Sequence, residues 1–339
     1  MQHAQRGVDR FRDDFVVLEW VTWEFAESLQ DGAKREVPKI GNLPLYRQML
    51  APHVKRRLVC EPDVARYIQI DPPAVEVVET DWDPAHLSLY LRTADEFAEW
   101  YREIRRTDGR SNNLIAILAR IRAVHFAANY PQYGVDGVGT LGQLTSKQRA
   151  VIDRLNAIAE EGKQAILFAE NPRVIDLIAG QLKARGVETV PFHGGIPITK
   201  RVADKDKRFV NGSATGLLCT KGSGRAGYNL PNADYVLFYD RSWTWRIEYQ
   251  AMRRALRWNR KGQLKVVYFH LPGSIDKYQD QMVAHKRDAM EAGLDWATPE
   301  LEDEAFLHMD TLLDAFVEDL AALHGRENRD QRQLLKEAA

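Results

Sequence analysis

Two cysteines in 339 residues, Cys60 and Cys219, exclude a disulfide framework and offer no metal-ligand spacing. Long apolar runs are also missing. No stretch is long enough to span a bilayer, and the opening residues MQHAQRGVDRFRDDF contain no apolar signal segment. An intracellular, cytoplasmic chain with no membrane partner is therefore expected. Charge of one sign is not in excess: the formal net charge is −1, so any polyanion must be met locally rather than by a basic coat. There is no G-x-S-x-G elbow and no convergent Cys/His cluster, which sets aside a stand-alone nucleophile or metal enzyme and leaves no metal ligand to name. No G-x4-G-K-[ST] phosphate loop occurs, since Gly162-Lys163 is followed by Gln164. No Asp-Glu pair follows an apolar strand; Asp95-Glu96 falls in a helical segment.

What is present is a regular pattern after Ser146. KQRAVIDRLNAIAEEG reads as an amphipathic helix stopped by Gly162, QAILFAE as a strand, and PRVIDLIAGQLKARG as a helix with Pro172 in its first turn. ETVPFHGG, GLLCT, YVLFY and LKVVYFH follow as strands, with helices at KRVADKDKRFVNG and around Gln250. Strands apolar throughout, alternating with helices, predict an α/β fold with a parallel sheet covered on both faces. Ligands of such sheets sit at the carboxyl ends of the strands.

Upstream, AVEVVETDW (74–82) predicts a strand, with helices from Pro84 and from Asn112 and a glycine-rich connection at 130–147. Residues 1–72 are mixed, with a basic run at Lys55, Arg56 and Arg57. Downstream, SIDKYQDQMVAHKRDAMEAG predicts a helix. From Glu300 to Asp319 there are eight acids and no Lys or Arg, with Phe306, Met309, Leu313, Phe316, Val317 and Leu320 on one helical face. That helix either packs on its own domain, docks a partner, or guards the basic loop.

Positive charge is concentrated between Arg241 and Lys265, where eight Lys or Arg accompany one acid, Glu248. Such clustering suits a polyanion. Gln250, Arg254 and Arg257 stand at i, i+4 and i+7, so one helix face is expected to carry all three. Ahead of them, Thr220, Lys221, Gly222, Ser223 and Gly224 suit a loop that tracks phosphates, because glycine admits close backbone approach. His193 and Gly194 follow another strand and suit backbone contact, although such a His is often a capped structural residue. Trp243 and Trp245 either stack on a ligand or pack against the basic helix.

The order of these motifs resembles the second, C-terminal RecA-like motor lobe of superfamily-two helicases, of the Swi/Snf-like double-stranded DNA translocase kind. The matching residues are AILFAE (165–170); His193, Gly194, Gly195, Arg201 and Phe209; Thr220, Gly222, Gly224, Gly227, Asn229 and Leu230; Asp240 and Trp243; Glu248; and Gln250, Arg254 and Arg257. The glycine loop is one residue longer than the common pattern, and Asn259 stands where the family often has Gly. The resemblance implies four segments: the end of a first lobe and a hinge (1–72), a crossing strand with a helical insertion (73–145), the RecA-like lobe (146–295), and an acidic C-terminal helix and tail (296–339).

It further implies catalytic roles for Arg257, Arg254 and Gln250, with Arg257 as the finger toward a γ-phosphate. Gly227, Asn229 and Glu248 would serve the nucleotide. His193, Gly194, Thr220, Lys221, Gly222, Ser223, Trp243, Arg56 and Arg57 would contact nucleic acid. The cofactor would be ATP with Mg2+, held mainly by a partner first lobe that carries the phosphate loop. The other partner would be duplex DNA, with RNA left open. The alternative is a non-catalytic nucleic-acid-binding or regulatory module derived from such a lobe.

Overall fold

The computed structural model describes residues 11, 13–21, 33–55, 57–58, 61–68, 70–107, 114–134, 140–223, 228–258, 260, 262–294 and 309–337. The chain divides into two compact units, Met1–Gln69 with Gln281–Leu312, and Ile70–Asp280 with Leu313–Ala339. In the first, β1 (Val16–Val21) pairs antiparallel with β2 (Ala33–Ile40), and two short helices follow, α1 (Leu43–Leu50) and α2 (Pro62–Ala65). Phe15 is buried between the rings of Phe11 and Tyr46.

The second unit is built on a six-stranded sheet. Its strands are β3 (Ala74–Glu79), β4 (Ala165–Ala169), β5 (Thr189–Phe192), β6 (Gly216–Thr220), β7 (Tyr235–Phe238) and β8 (Lys265–His270), in the spatial order β3-β8-β7-β4-β6-β5. All five pairings are parallel. The central strand β4, AILFA, is buried at every position, because a parallel sheet with helices on both faces leaves a strand no wet side. The segment 73–145 contributes β3 as the edge strand, followed by α3 (Pro84–Thr107) and α4 (Leu114–Asn129).

Between the strands lie α5 (Ser146–Glu160), α6 (Pro172–Ala184), α7 (Ile198–Asp204) and α8 (Trp245–Met252); α9 (Ile275–Leu294) and α10 (Met309–Glu337) close the chain. Thr145 and Gln148 form a reciprocal capping box at the start of α5, and Gly162 ends that helix at φ 67°, a conformation that favours glycine. The helix expected over 200–212 is α7 running into a π-helical turn, Lys205–Val210. One face of the sheet packs Val151, Leu155, Ile175 and Ile178 of α5 and α6 against Leu167, Leu237 and Phe269. The other packs Ala251, Met252, Ala255 and Leu256 against Ile166, Val236 and Val266. Leu313, Phe316, Val317 and Leu320 of α10 are buried, with Phe316 against the rings of Phe97 and Tyr278. Of the possibilities for the acidic helix, packing on its own domain is the one seen; Phe306 lies outside the described residues. Among the described residues no helix is long and apolar enough to cross a membrane.

Beneath the carboxyl ends of the strands lies a charged pair with no solvent exposure. Lys147 Nζ of α5 is 2.8 Å from Asp276 Oδ2 of α9 and donates to Asn129 Oδ1 of α4 at 2.7 Å. Asp276 also accepts from Asn129 Nδ2 at 3.3 Å and from the Leu271 N–H at 3.3 Å. The Tyr239 hydroxyl donates to the Asn129 carbonyl, joining β7 to the group. Burial alone would raise the Asp276 carboxyl, but the Lys147 ammonium holds it well below the usual carboxylate range.

Removing one partner of a buried ion pair leaves an uncompensated charge. Lys147→Met is therefore expected to lose about 3–5 kcal/mol in urea unfolding. Because the folded-state pKa of Asp276 is depressed, its contribution is present above an unfolded value of about 3.9 and is lost as pH falls below it. Acid titration of stability is expected to flatten in Asp276→Asn, and an unchanged acid limb would contradict the assignment.

Candidate nucleotide and nucleic-acid interface

Parallel strands deliver their following loops to one edge. Along that edge stand His270 after β8, Asp240 and Arg241 after β7, Glu170 after β4, Thr220 and Lys221 after β6, and His193 after β5. The topology thus gathers His193, Gly194 and the Thr220 loop on neighbouring strands. The His193 ring is buried: Nε2 is 3.0 Å from Asp176 Oδ1, Nδ1 accepts the Gly195 N–H at 3.2 Å, and the carbonyl accepts from Arg201 at 3.1 Å. The ring braces the turn, and the exposed Gly194–Gly195 backbone is what faces outward. A Cβ at Gly195 would stand 3.1 Å from that ring, so a larger residue there would press on the His193 side chain.

Thr220 Oγ1 donates to Ser223 Oγ at 2.8 Å, and its hydroxyl accepts the Ser223 N–H at 3.4 Å, folding the loop so that Gly222 is exposed. Lys221 departs from expectation. It is buried, and its Nζ is 2.8 Å from Asp240 Oδ1. Asp240 also receives the Glu170 N–H at 3.2 Å, joining the ends of β7 and β4. Burial pushes Lys221 down to about 8 and the Asp240 carboxyl well above its ordinary value. Lys221 is thus committed to the interior, because an unpaired Asp240 there would be costly.

Glu248 turns inward as well. Its carboxylate takes Arg241 Nε at 3.1 Å and the Ser242 N–H at 2.6 Å, and is enclosed. Arg241 in turn pairs with Asp280 and stacks 4.2 Å over the Tyr268 ring. The acid two residues before Gln250 shapes the loop between β7 and α8, not a ligand surface. Trp243 is half-buried in that loop, while Trp245 packs against the core and lies 5.7 Å from the Tyr249 ring. Arg57 is exposed and paired with Glu61 at 2.7 Å; Arg56, Gly224, Gly227 and Asn259 lie outside the described residues.

The single helix face expected for Gln250, Arg254 and Arg257 is not formed. α8 ends at Met252, and only Gln250 lies on it. The chain then tightens through Arg254 N–H to Ala251 O at 3.1 Å and Ala255 N–H to Met252 O at 3.0 Å. This path buries Ala255 and Leu256 and lets the Arg254 carbonyl accept the Leu230 N–H at 2.9 Å. Apolar burial and that bond outweigh helix continuation. The consequence is that Arg254 and Arg257 project from a turn beside Asn229 and Leu230. Burial, then the charge of Arg257, lowers Arg254, so the two guanidiniums are near enough to repel. Arg257 is half-buried, forms no ion pair among the described residues, and has its Nε enclosed without a hydrogen-bond partner.

Two groupings therefore emerge: a strand-end edge of His193, Gly194, Thr220, Gly222 and Ser223, and an arginine turn next to Asn229. The family described as the helicase conserved C-terminal domain matches residues 146–259, which hold both. Residues 146–259 thus carry the C-terminal lobe of a superfamily-two helicase, and the relatives to which the chain is similar are of the Swi/Snf-like kind. The chain is 26% identical over 244 residues to the ISWI chromatin-remodeling complex ATPase ISW1 of Saccharomyces cerevisiae, covering 65% of this chain and 20% of that one. It is 28% identical over 228 residues to the SWI/SNF-related matrix-associated actin-dependent regulator of chromatin subfamily A member 1 of Mus musculus, covering 61% and 21%. The chain thus spans about a fifth of the length of these relatives.

Among solved structures, the C-terminal part of the Fun30 ATPase domain superposes with a TM-score of 0.57 at 13% identity, covering 75% of this chain and 99% of that one. The Sulfolobus solfataricus SWI2/SNF2 ATPase C-terminal domain gives 0.51 at 16% identity, covering 73% and 96%. At such identities these likenesses speak to the fold alone.

Sequence reasoning missed the groups inside the lobe's edge: His125, Asn129, Lys147, Asp276 and Asp280. Each is a single polar residue in a helical pattern, and its spacing gives no sign of convergence. Burial drives His125 down to about 3 and raises the Asp280 carboxyl to about 7.

Lys221 provides a test of inward commitment. Lys221→Met is expected to cost about 3–5 kcal/mol by stranding Asp240, while the double variant Lys221→Met with Asp240→Leu recovers most of it. Equal losses in single and double variants, measured by urea unfolding, would remove the pair from the scaffold.

Proposed function

We propose that this lobe is the second half of an ATP-driven DNA translocase, working with a first lobe that supplies the phosphate loop and the Mg2+-binding carboxylates. The observation that carries this reading is the arginine turn. Two like-charged guanidiniums, one with an enclosed and unpartnered Nε, stand beside Asn229 on the segment following the glycine loop. Arg257 forms no ion pair among the described residues, and a polyphosphate closing against the turn would supply one. Arg257 is the finger that meets charge developing on the γ-phosphate, Arg254 shares or braces that contact, and Gln250 couples the turn to α8.

The strand-end edge supplies the track. Gly194 and Gly222 are exposed, and Thr220 and Ser223 hold the loop around Gly222. Backbone N–H groups and hydroxyls there hold phosphate oxygens without reading bases. Lys221, Glu248 and the His193 ring position this surface from within, and Trp243 flanks it. With residues 146–259 as the core of the lobe, 1–72 and 73–145 serve as hinge and crossing segments.

Reconstituted with a phosphate-loop lobe and duplex DNA, the chain is expected to support ATP hydrolysis, and Arg257→Ala to lower kcat on the order of 10³-fold with DNA affinity retained. Equal turnover by wild type and variant would refute the finger. Gly222→Asp introduces a carboxylate where a Cβ meets nothing within 4 Å, so the fold tolerates it. Fluorescence anisotropy on a labelled duplex should show binding about tenfold weaker at low salt, with little change in Gly222→Ala. Unaltered binding in Gly222→Asp would move the track elsewhere. Salt-dependent DNA binding with no partner-dependent turnover would point instead to a binding module.

A further inference from the structure

A cluster at the carboxyl ends of β4 and β7 plays no part in the motor reading. A ring nitrogen of His125 and one carboxylate oxygen each of Glu170 and Asp240 all lie within 4.8 Å of one another. They come from three separate elements: α4, the end of β4 and the end of β7. His125 is 3% exposed, and its Nε2 is enclosed with no hydrogen-bond partner. A buried donor or acceptor left unmet is costly, so this one calls for a ligand. Lys221 engages Asp240 through Oδ1, and both Asp240 oxygens lie 3.2 Å from the Glu170 N–H.

Charge points the same way. Around this edge the cations Lys147, Lys221 and Arg241 face five carboxylates: Glu170, Asp240, Glu248, Asp276 and Asp280. Asp240, Glu248, Asp276 and Asp280 are each paired with one of these cations, whereas Glu170 forms no ion pair among the described residues. Glu170 is exposed, so the cluster is open to solvent on that side. We propose that His125, Glu170 and Asp240 bind a first-row transition-metal dication, with zinc the best match to one imidazole nitrogen and two carboxylate oxygens. Zinc bonds of about 2.0–2.2 Å draw the three ligands together and leave a fourth position for water. Magnesium, which demands oxygen ligands in near-octahedral array, fits poorly. The bound ion pins α4 to the ends of two central strands, a role independent of ATP and DNA.

The test is calorimetric titration of Zn2+ into the full chain after chelator treatment. One equivalent is expected to bind, with affinity roughly tenfold to a hundredfold weaker in Glu170→Gln and His125→Gln and no comparable heat from Mg2+. Glu170 is exposed, so its variant keeps the fold even if the His125 variant does not; circular dichroism checks both. A separate histidine–acid grouping, His324 with Asp95 at 2.9 Å and Glu327 at 3.7 Å, provides the control, and His324→Ala is expected to bind like wild type. Co2+ substitution should give visible ligand-field bands without thiolate charge transfer. Absence of a stoichiometric site, wild-type affinity in Glu170→Gln, or loss of binding in His324→Ala would overturn the assignment.

Discussion

The carboxyl edge of the sheet rests on an ion pair that never meets water. Lys147 and Asp276 are both fully enclosed, and desolvating two such ions costs several kcal/mol each before their attraction is counted. The pair persists because its other hydrogen-bonding capacity is met: Asn129 bonds both partners, and the Leu271 N–H takes the remaining carboxylate position. Three helices and the end of β7 meet at this point. The position of His125, one turn before Asn129 on α4, follows from it, and so does the start of α9 that carries Asp280 to Arg241.

Around this pair the charged side chains divide into two kinds. Lys221, Asp240, Arg241, Glu248 and the His193 ring are turned inward and bonded to one another or to loop backbone. Their work is to hold loops in shape. Apart from Glu170, what faces solvent at the loops of β5 and β6 is small: Gly194, Gly195, Gly222 and part of Ser223. A surface made of main chain braced by buried charges suits a ligand recognised by its phosphates, because backbone donors neither reach far nor discriminate among bases.

Helix α8 separates this edge from the arginine turn. It leaves the carboxyl end of β7 and leads back toward the start of β8, so the residues after Met252 stand apart from the loops of β5 and β6. The bond from Leu230 to the Arg254 carbonyl ties the turn to the segment leaving the glycine loop. The two segments are thus held together through main chain rather than through side-chain charge.

Much of the layered architecture was legible in the sequence by itself. Apolar runs such as AILFA, GLLCT and YVLF, separated by amphipathic helices with Gly162 and Gly186 past their ends, specify buried parallel strands because no other arrangement satisfies both patterns. The motif order likewise marked out Gln250, Arg254 and Arg257, since their types and spacing are local. The direction each side chain takes was not legible. Lys221 and Glu248 read as ligand-facing until the fold supplied Asp240 and Arg241 as partners from elsewhere in the sheet. The i, i+4, i+7 spacing promised one helical face, but burial of Ala255 and Leu256 broke the helix first. Local sequence determined which elements form. Only tertiary packing, acting through long-range charge pairing and the cost of burying unmet polar atoms, decided which charges belong to the interior and which remain at the surface.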